Sequence, residues 1–389
     1  MILRINEGMP VFFKYPHTFF ISYRMKKRLS FIIAFAIATI SGNVTSQKLS
    51  LLFAGDAMQH KAQIENARKS DGGFFYDDNF SDIKDEVSSA DIAIVNLEAP
   101  LGGNPYTGYP TFSAPDEFAG ALKRCGFDIF LTANNHISDK GAKGTVRTIA
   151  ALDSIGVRHT GSYKNSVTRR INTPLMITGK GIRIALLNYT YGTNGITVKA
   201  GCIINYIDTA LIKRDINAAK DLDADIIIAA LHWGDEYQTL PNKKQKALAE
   251  WLHKSGVRII IGSHPHVIQP IVTETDENGN IDNITLYSLG NFISNMQTKM
   301  TMGSIIFRFE LEKKNDSVII TSPRYAKIFT QRPAQYPGMP FKVIAADSSN
   351  ISNVNLPKRL RSDIENYATE ADKIFRQNNS PDVKEYFYD

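Results

Sequence analysis

The chain has 389 residues, of which 43% are hydrophobic, 22% charged and 10% aromatic, an ordinary globular composition that excludes a disordered, collagen-like or disulfide-scaffold protein. The net charge of +6 lies entirely in the first 49 residues, which hold seven basic side chains and one acidic one. The remaining 340 residues carry 38 charges of each sign, so the body has no net field to attract nucleic acid, and we expect no nucleic-acid partner.

The first predicted element is an export leader. A basic segment at 25–28 precedes ten apolar residues at 31–40, which suit a signal peptide and are too short to span a bilayer. Small and polar residues at 41–47 offer a cleavage site. We therefore interpret residues 1–48 as a leader, with Met25 as the expected start of translation. The expected location is extracytoplasmic: periplasmic, secreted, or anchored to the membrane through residues 25–47 if the leader is not cleaved.

After the leader, short β-branched runs alternate with helical patterns. Strands are predicted at 49–54, 91–95, 127–132, 182–189, 225–231 and 257–261. The intervening helices are predicted at 81–89, 115–124, 144–154, 208–219 and 242–254. This alternation is typical of an α/β protein with buried, largely parallel strands.

The pattern changes after residue 265. Antiparallel strands are predicted at 267–275, 284–289, 303–311 and 317–322, and the Asn278-Gly279 turn joins the first two. A charged amphipathic helix is predicted at 357–377. We expect one domain over 49–345 and a helical C-terminal extension over 346–389.

Polar residues that can bind metals stand at or just beyond the predicted C-terminal ends of successive strands. They are Asp56, Glu98, Asn135, His136, His232, His264 and His266. In an open α/β sheet these strand ends face one crevice, so the side chains are expected to converge. A mixed set of oxygen and imidazole donors suits Zn, Mn or Fe better than Ca or Mg, and the number of donors allows one or two divalent ions.

Six short motifs in the same segments resemble a known family. They are GDAM at 55–58, NLE at 96–98, ANNH at 133–136, HWGDEY at 232–237, GSHPHV at 262–267 and SLGNF at 288–292. Their order is similar to that of the CapA family of capsule and poly-γ-glutamate biosynthesis proteins, which in turn resembles the calcineurin-like metallophosphoesterases. The resemblance implies a four-layer α/β/β/α sandwich in which two mixed sheets pack between helices.

The resemblance also implies roles for individual residues. Glu98 would stand where a carboxylate bridges two metals, and His136 would be a catalytic acid or electrostatic stabiliser rather than a ligand. The implied metal ligands are Asp56, Glu98, Asn135, His232, His264 and His266. Glu236 and Asn291 are the candidate substrate-binding residues.

Two positions depart from the superfamily pattern. Met58 stands where a histidine usually follows the first aspartate, and Ile137 follows His136 where an acid is usual, so that Asp139 is the nearest carboxylate. Thioether sulfur is a poor ligand for a hard cation, and the first metal position is therefore expected to lack a ligand. His60 could compensate, but we expect it to face solvent.

The family implies a role in the biosynthesis, export or anchoring of an anionic cell-surface polymer, typically poly-γ-glutamate. The implied partners are that polymer or its precursor and membrane proteins of a polymer synthase complex. Three functional classes remain open at this point. The protein could be a metal-dependent phosphoesterase, a metal-dependent hydrolase or transferase acting on an amide bond, or a non-catalytic assembly factor that binds polymer through a degenerate site. Cys125 and Cys202 could pair or remain separate buried thiols.

Overall fold

The computed structural model describes residues 47–198, 201–315 and 317–388. The leader predicted at 1–48 therefore lies outside the described residues, apart from its last two positions, and both its cleavage and the expected location stay predictions. Within the described ranges, no helix combines the length and apolar character that a membrane crossing requires. The described residues belong to one compact unit.

The strands and helices of the described residues follow the predicted alternation. The strands are β1 (Lys48–Ala57), β2 (Ile92–Leu97), β3 (Ile129–Leu131), β4 (Arg158–Thr160), β5 (Ser162–Tyr163), β6 (Leu175–Gly179), β7 (Ile182–Thr190), β8 (Ile203–Ile204), β9 (Ile226–His232), β10 (Ile259–Ser263), β11 (Ile268–Thr275), β12 (Ile281–Leu289), β13 (Gly303–Lys314), β14 (Ser317–Gln331), β15 (Lys342–Ala345) and β16 (Lys384–Glu385). The helices are α1 (Lys61–Ala67), α2 (Lys84–Ser88), α3 (Asp116–Cys125), α4 (Gly141–Ser154), α5 (Ser166–Asn172), α6 (Thr209–Asp221), α7 (Lys243–Ser255), α8 (Ser348–Ser352) and α9 (Lys358–Asn378), with a 3-10 helix at Asp77–Phe80.

Two mixed half-sheets make up the body. In the first half, β1 to β4 pair in parallel, and β1 continues antiparallel through β13 to β14. In the second half, β7, β9, β10 and β12 pair in parallel, with β6 and β11 antiparallel on them. A single residue pair, Ile281 with Ile320, joins the halves into one continuous sheet.

The side chains of each half alternate between an inner and an outer apolar core. On β1, Leu51 and Phe53 enter the core shared by both halves, whereas Leu52 packs outward against a cluster that includes α3 and α4. On β7, Ile184 faces the shared core and Leu187 packs outward against α6 and α7. This period of two with both faces buried produces helix, sheet, sheet and helix layers. The predicted α/β/β/α sandwich with two packed mixed sheets is therefore confirmed.

The parallel order fixes where the polar strand ends lie. Strands β1, β2 and β3 end at one edge of the first half, and β7, β9 and β10 end at the corresponding edge of the second. Asn188 of β7 connects the two edges, because its Oδ1 accepts hydrogen bonds from the backbone N–H groups of Thr132 and Ala133 at 3.1 and 2.8 Å. The two halves thus present their strand ends to a common cleft.

Three parts of the chain differ from or complete the sequence-based prediction. The helix predicted at 81–89 begins later, at Lys84. Strand β14 continues past its predicted end at Ser322, whose φ of 53° marks a bulge in which Pro323 is tolerated. Helix α9 contributes residues such as Phe375 to the shared core, although the predicted boundary at 345 itself stays a prediction.

The two cysteines do not form a disulfide. Cys125 and Cys202 are separate buried thiols. Burial raises the pKa of the Cys125 thiol to about 12, so the group stays protonated and chemically quiet at neutral pH. This settles the alternative that the sequence left open.

Candidate metal centre

Two carboxylates form the floor of the cleft. Asp56 lies near the end of β1 and Glu98 directly follows β2, and both side chains are fully buried. Asp56 is held by hydrogen bonds from Asn96 Nδ2 at 2.7 Å and from the backbone N–H of His264 at 3.2 Å. Neither carboxylate oxygen of Glu98 has a hydrogen-bond partner.

Three imidazoles face these carboxylates. His232 ends β9, and its Nε2 lies 3.5 Å from Glu98 Oε1. His266 contacts both carboxylates, with Nδ1 3.3 Å from Asp56 Oδ2 and Nε2 3.8 Å from Glu98 Oε1. The ring of His264 lies 4.8 Å from that of His232, and its buried Nδ1 has no partner. Burial and the neighbouring imidazoles lower the pKa of His264 to about 3 and push that of His232 well below its usual value, so both rings are neutral and able to bind a cation.

The donor atoms form two groups that share one residue. Asp56, Glu98 and His232 make the first group, and Glu98, His264 and His266 make the second, with the donor atoms of each group within 4.8 Å of one another. Glu98 therefore occupies the position of a bridging ligand. Burial, followed by the nearby charge of Asp56, raises the pKa of Glu98 well above its ordinary value. Unpartnered buried oxygens and imidazole nitrogens are costly, and a divalent cation would satisfy them.

The loop after β10 brings two of the histidines into the cleft by an unusual backbone. His264 and His266 have φ values of 97° and 60°, a left-handed region that non-glycine residues seldom occupy. Such strain costs on the order of 1–3 kcal/mol at each residue and persists where the surroundings impose it. Here the backbone N–H of His264 is held by Asp56, and Nδ1 of His266 lies 2.9 Å from Asn291 Oδ1.

Asn135 and His136 follow β3 and lie beside the two donor groups of Asp56, Glu98, His232, His264 and His266, which we call the cage. Asn135 Oδ1 lies 2.9 Å from His232 Nε2, which adds a neutral oxygen to the first donor group. His136 Nδ1 lies 2.8 Å from Asp139 Oδ2, and its ring packs edge-on against Phe112 with centroids 4.6 Å apart. Asp139 therefore orients His136, although the superfamily pattern has this acid directly after the histidine.

The two candidate substrate-binding residues occupy different environments. Glu236 is exposed beside the cleft, where its charge contributes to raising the pKa of Tyr237 to about 12, after the larger effect of burial. Asn291 is fully buried behind His266, and its Nδ2 donates to the Thr301 carbonyl at 3.1 Å. Their roles in substrate binding stay predictions.

Aromatic side chains form the rim of the cleft. The Tyr191 ring lies 4.5 Å from that of His264, and the Tyr237 ring lies 6.4 Å from that of His266. Both tyrosines are half exposed, at 48% and 41%. Tyr191 belongs to none of the six motifs, and the structure places its ring against that of His264.

Several supporting residues were not identified from the sequence. Asn96 reaches both Asp56 and His232, and Ser263 Oγ lies 3.2 Å from His232 Nδ1. Asn188 ties the two halves together beneath the cage. Asn96 and Asn188 interrupt apolar strand sequences, so a polar residue inside a buried run was the available signal.

The structure agrees with the expectation for Met58 and contradicts the expectation for His60. Met58 is 2% exposed within the outer apolar cluster and offers no donor to the cage. The prediction that His60 faces solvent is wrong: its ring packs edge-on against Phe112, and its Nδ1 accepts a hydrogen bond from the backbone N–H of Asn295 at 3.2 Å. Burial lowers the pKa of His60 to about 4, against a smaller opposing effect of the neighbouring Gln63 side chain. His60 is also the N-cap of α1, where its backbone N–H donates to Gln63 Oε1 at 2.8 Å.

Fold and site together define a class of protein, an α/β/β/α sandwich with a buried carboxylate and histidine cage suited to divalent cations. The family described as "Bacterial capsule synthesis protein PGA_cap" matches residues 50–296, and the chain belongs to that family. The family resemblance carried by the six motifs is thereby confirmed.

Curated relatives support the same assignment. The chain is 29% identical over 297 residues to "Capsule biosynthesis protein CapA" of Bacillus anthracis, covering 72% of this chain and 67% of the relative. It is 27% identical over 318 residues to "PGA biosynthesis protein CapA" of Bacillus subtilis (strain 168), covering 78% and 79%.

Solved structures with a similar fold are more distant. Haemophilus influenzae NAD nucleotidase (NadN) has a TM-score of 0.46 at 12% identity, covering 88% of this chain and 58% of the nucleotidase. The calcineurin-like phosphoesterase YfkN from Bacillus subtilis has a TM-score of 0.42 at 13% identity, covering 84% and 97%. A similarity of this size carries no information about substrate or activity.

Proposed function

We propose that this chain is a divalent-metal-dependent hydrolase that cleaves or trims amide links of an anionic capsule polymer of the poly-γ-glutamate type. The observation that carries the proposal is Glu98, a fully buried carboxylate with two unpartnered oxygens shared by two groups of metal donors. The printed names of the two Bacillus relatives, capsule and PGA biosynthesis, support the choice of polymer.

The donor set bears on the metal. Two carboxylates, one amide oxygen and three imidazoles suit Mn, Zn or Fe. When bound, such an ion would supply Lewis acidity, lowering the pKa of a water and polarising the substrate carbonyl. Asp56, Glu98 and His232 would hold one ion, and Glu98, His264 and His266 a second.

His136 is placed for proton transfer. Asp139 holds Nδ1 at 2.8 Å and so favours a proton on that nitrogen, which leaves Nε2 to exchange protons with substrate. Amide hydrolysis adds water to the carbonyl carbon and breaks the C–N bond, and the departing nitrogen must gain a proton. In our proposal Nε2 of His136 takes a proton from the attacking water and delivers it to that nitrogen, while Phe112 fixes the plane of the ring.

The rim suits an extended chain more than a compact phosphoester. Tyr191 and Tyr237 offer flat surfaces on which a polymer backbone can lie. Glu236 beside them is unfavourable for a free anion, so polymer carboxylates would approach the metals or point away from the rim. The same proposal includes an extracytoplasmic location for this protein and, as its partners, membrane proteins of a polymer synthase complex.

The test separates metal binding from turnover. Full-length protein is stripped with a chelator and reloaded with Mn, Zn or Fe, and metal content is measured by mass spectrometry. Amine release from γ-linked glutamate oligomers is compared with hydrolysis of a phosphodiester. We expect metal-dependent amine release, which His232→Ala abolishes together with metal binding and His136→Gln lowers at least 100-fold with metal content unchanged.

The matched control is His253→Gln, because His253 lies away from the cage and contacts Val257 and Thr285. Failure to retain any metal would refute the proposal. Metal binding without release of amine would instead favour the polymer-binding assembly factor. Hydrolysis of the phosphodiester alone would replace the amide bond with a phosphoester as the bond cleaved.

A further inference from the structure

A second polar pocket lies beyond the end of β14. It has a volume of about 230 Å³ and is lined by Gln297, Met302, Arg332, Ala334, Gln335 and Arg359. Two of these residues are arginines and none is acidic. Sites for drug-sized ligands have volumes of about 300–1,000 Å³, so this pocket suits one small acidic group or the corresponding part of a longer molecule.

Arg332 is the unusual residue of this pocket. It is only 1% exposed, and no carboxylate of the described residues pairs with its guanidinium. Arg169 and Arg308 are also largely buried, but Arg169 contacts Asp215 and Arg308 contacts Glu86. A buried cation without a counter-ion is costly, and the cost falls when an anion binds beside it.

The partners of Arg332 are neutral and hold it in place. Its terminal nitrogens donate to the Met296 carbonyl, to Met302 Sδ and to Gln335 Oε1, while its buried Nε has no acceptor. Asp363 does not pair with it directly, although the charge of that carboxylate stabilises the guanidinium from a distance. Asp363 accepts from Tyr336 Oη at 2.8 Å and from Gln335 Nε2 at 3.1 Å, and it lies 3.9 Å from Arg359 Nε. The Arg332 guanidinium is therefore preorganised and has no direct counter-ion among the described residues.

One chain segment links this pocket to the metal centre. Asn291, which faces His266, also contacts Met296 Sδ at 3.4 Å, and the carbonyl of Met296 accepts from Arg332. The preceding residue, Asn295, donates its backbone N–H to His60. The segment from Asn291 to Met296 therefore contacts both the metal centre and the pocket.

We propose that Arg332, with Arg359 at the rim, forms a carboxylate subsite that binds an acidic side group of a chain whose scissile bond lies in the metal cleft. Arg332 would offer its buried Nε–H, which has no acceptor, and Arg359 at the rim would offer a fork of N–H donors that matches the two oxygens of a carboxylate. The identity of the ligand rests on the proposed function, but the existence of the subsite does not. A polymer with a carboxylate on every residue would present one group here while another part of the chain reaches the cage.

The test uses glutarate, a dicarboxylate, titrated by calorimetry into the full-length protein after removal of metal. We expect a dissociation constant on the order of 1 mM for wild type, at least tenfold weaker for Arg332→Gln, and severalfold weaker for Arg359→Gln. Arg361→Gln is the matched control, since Arg361 lies on the same helix and does not line the pocket. Glutaramide, which has the same length and no charge, is expected not to bind.

The outcomes separate this subsite from the proposed function. The His232→Ala variant should still bind glutarate although it no longer binds metal. If wild type binds glutarate but shows no metal binding or no turnover, the result counts against the proposed hydrolase and not against the subsite. Absence of glutarate binding to wild type overturns the subsite, as does equal affinity in Arg332→Gln and Arg361→Gln. If Arg332→Gln fails to fold, an unchanged affinity in the rim variant Arg359→Gln overturns it.

Discussion

The sharpest prediction concerns Glu98→Gln, which keeps the shape of the side chain and removes its charge. In the metal-free protein the carboxylate is fully buried without a hydrogen-bond partner, and its raised pKa means that stability falls as pH rises above the usual range of a glutamate. The stability of the Glu98→Gln variant should not change with pH in this way, because the amide does not titrate. At pH 7.5 we therefore expect metal-free Glu98→Gln to be as stable as wild type or more stable, by about 1–3 kcal/mol.

Bound metal should reverse the order of stability of wild type and Glu98→Gln. A ligand at 100 times its dissociation constant stabilises the folded state by about 2.7 kcal/mol, and at about 2.1 cal/mol/K of unfolding entropy per residue a unit of roughly 340 residues melts about 4 °C higher. Glu98 belongs to both donor groups, so its loss should weaken binding at least 100-fold. The stabilisation then falls to about 0.4 kcal/mol, and the shift in melting temperature falls below about 1 °C.

The assay is calorimetric melting of stripped and metal-loaded protein, with metal content measured in parallel. Glu236→Gln is the control, because it removes an exposed glutamate beside the same cleft and should leave the metal-induced shift near 4 °C. The reasoning would be refuted by a Glu98→Gln variant that binds metal at wild-type stoichiometry with an unchanged shift. It would also be refuted if the metal-free variant were markedly less stable than wild type, since the buried carboxylate would then be stabilising on its own.

Three further predictions concern neighbours of the cage. Burial lowers the pKa of His60 to about 4, compared with about 6.5 in the unfolded chain. The free energy of unfolding should therefore fall by roughly 3 kcal/mol between pH 6.5 and pH 4, because the unfolded chain takes up the proton first. Denaturant titrations of His60→Asn should show a smaller fall over the same pH range. A Cβ at Gly55 would lie 1.9 Å from the Gly290 carbonyl oxygen, so Gly55→Ala should cost on the order of 2–4 kcal/mol and weaken metal binding, whereas Gly192→Ala meets no atom within 4 Å and should stay within about 0.5 kcal/mol of wild type. Removal of the ring over His264 in Tyr191→Ala should raise KM about threefold to tenfold in the oligomer assay with metal content unchanged, and an unchanged KM would exclude the rim as a substrate surface.

The convergence of the candidate donors could be predicted from sequence because it depends on a simple rule of topology. Parallel strands end at one edge, so Asp56, Glu98 and His232 had to approach one another once their strands were recognised. The structure brings them within the reach of a single cation. The layered fold followed from the same alternation of apolar runs and helical patterns.

Other features depend on tertiary contacts that no local pattern encodes. The bridge between the half-sheets is one residue pair 39 positions apart, Ile281 with Ile320. Strand β14 seemed to end before Pro323, but a bulge frees that position from the hydrogen-bonded ladder. His60 was expected to face solvent, yet Phe112, far along the chain, packs edge-on against its ring.

Met58 bears on whether the site is intact. On β1 the side chains alternate from Leu51 to Ala54, but after the register shift at Asp56 both Ala57 and Met58 turn to the outer apolar cluster. The chain leaves the strand there, with the Met58 N–H bonded to the Ile293 carbonyl at 2.9 Å. In this backbone the side chain at position 58 is 2% exposed and belongs to that cluster. Met58 is therefore a packing residue of this backbone, and its presence is no evidence of decay at the site, whose remaining donors are all in place around Glu98.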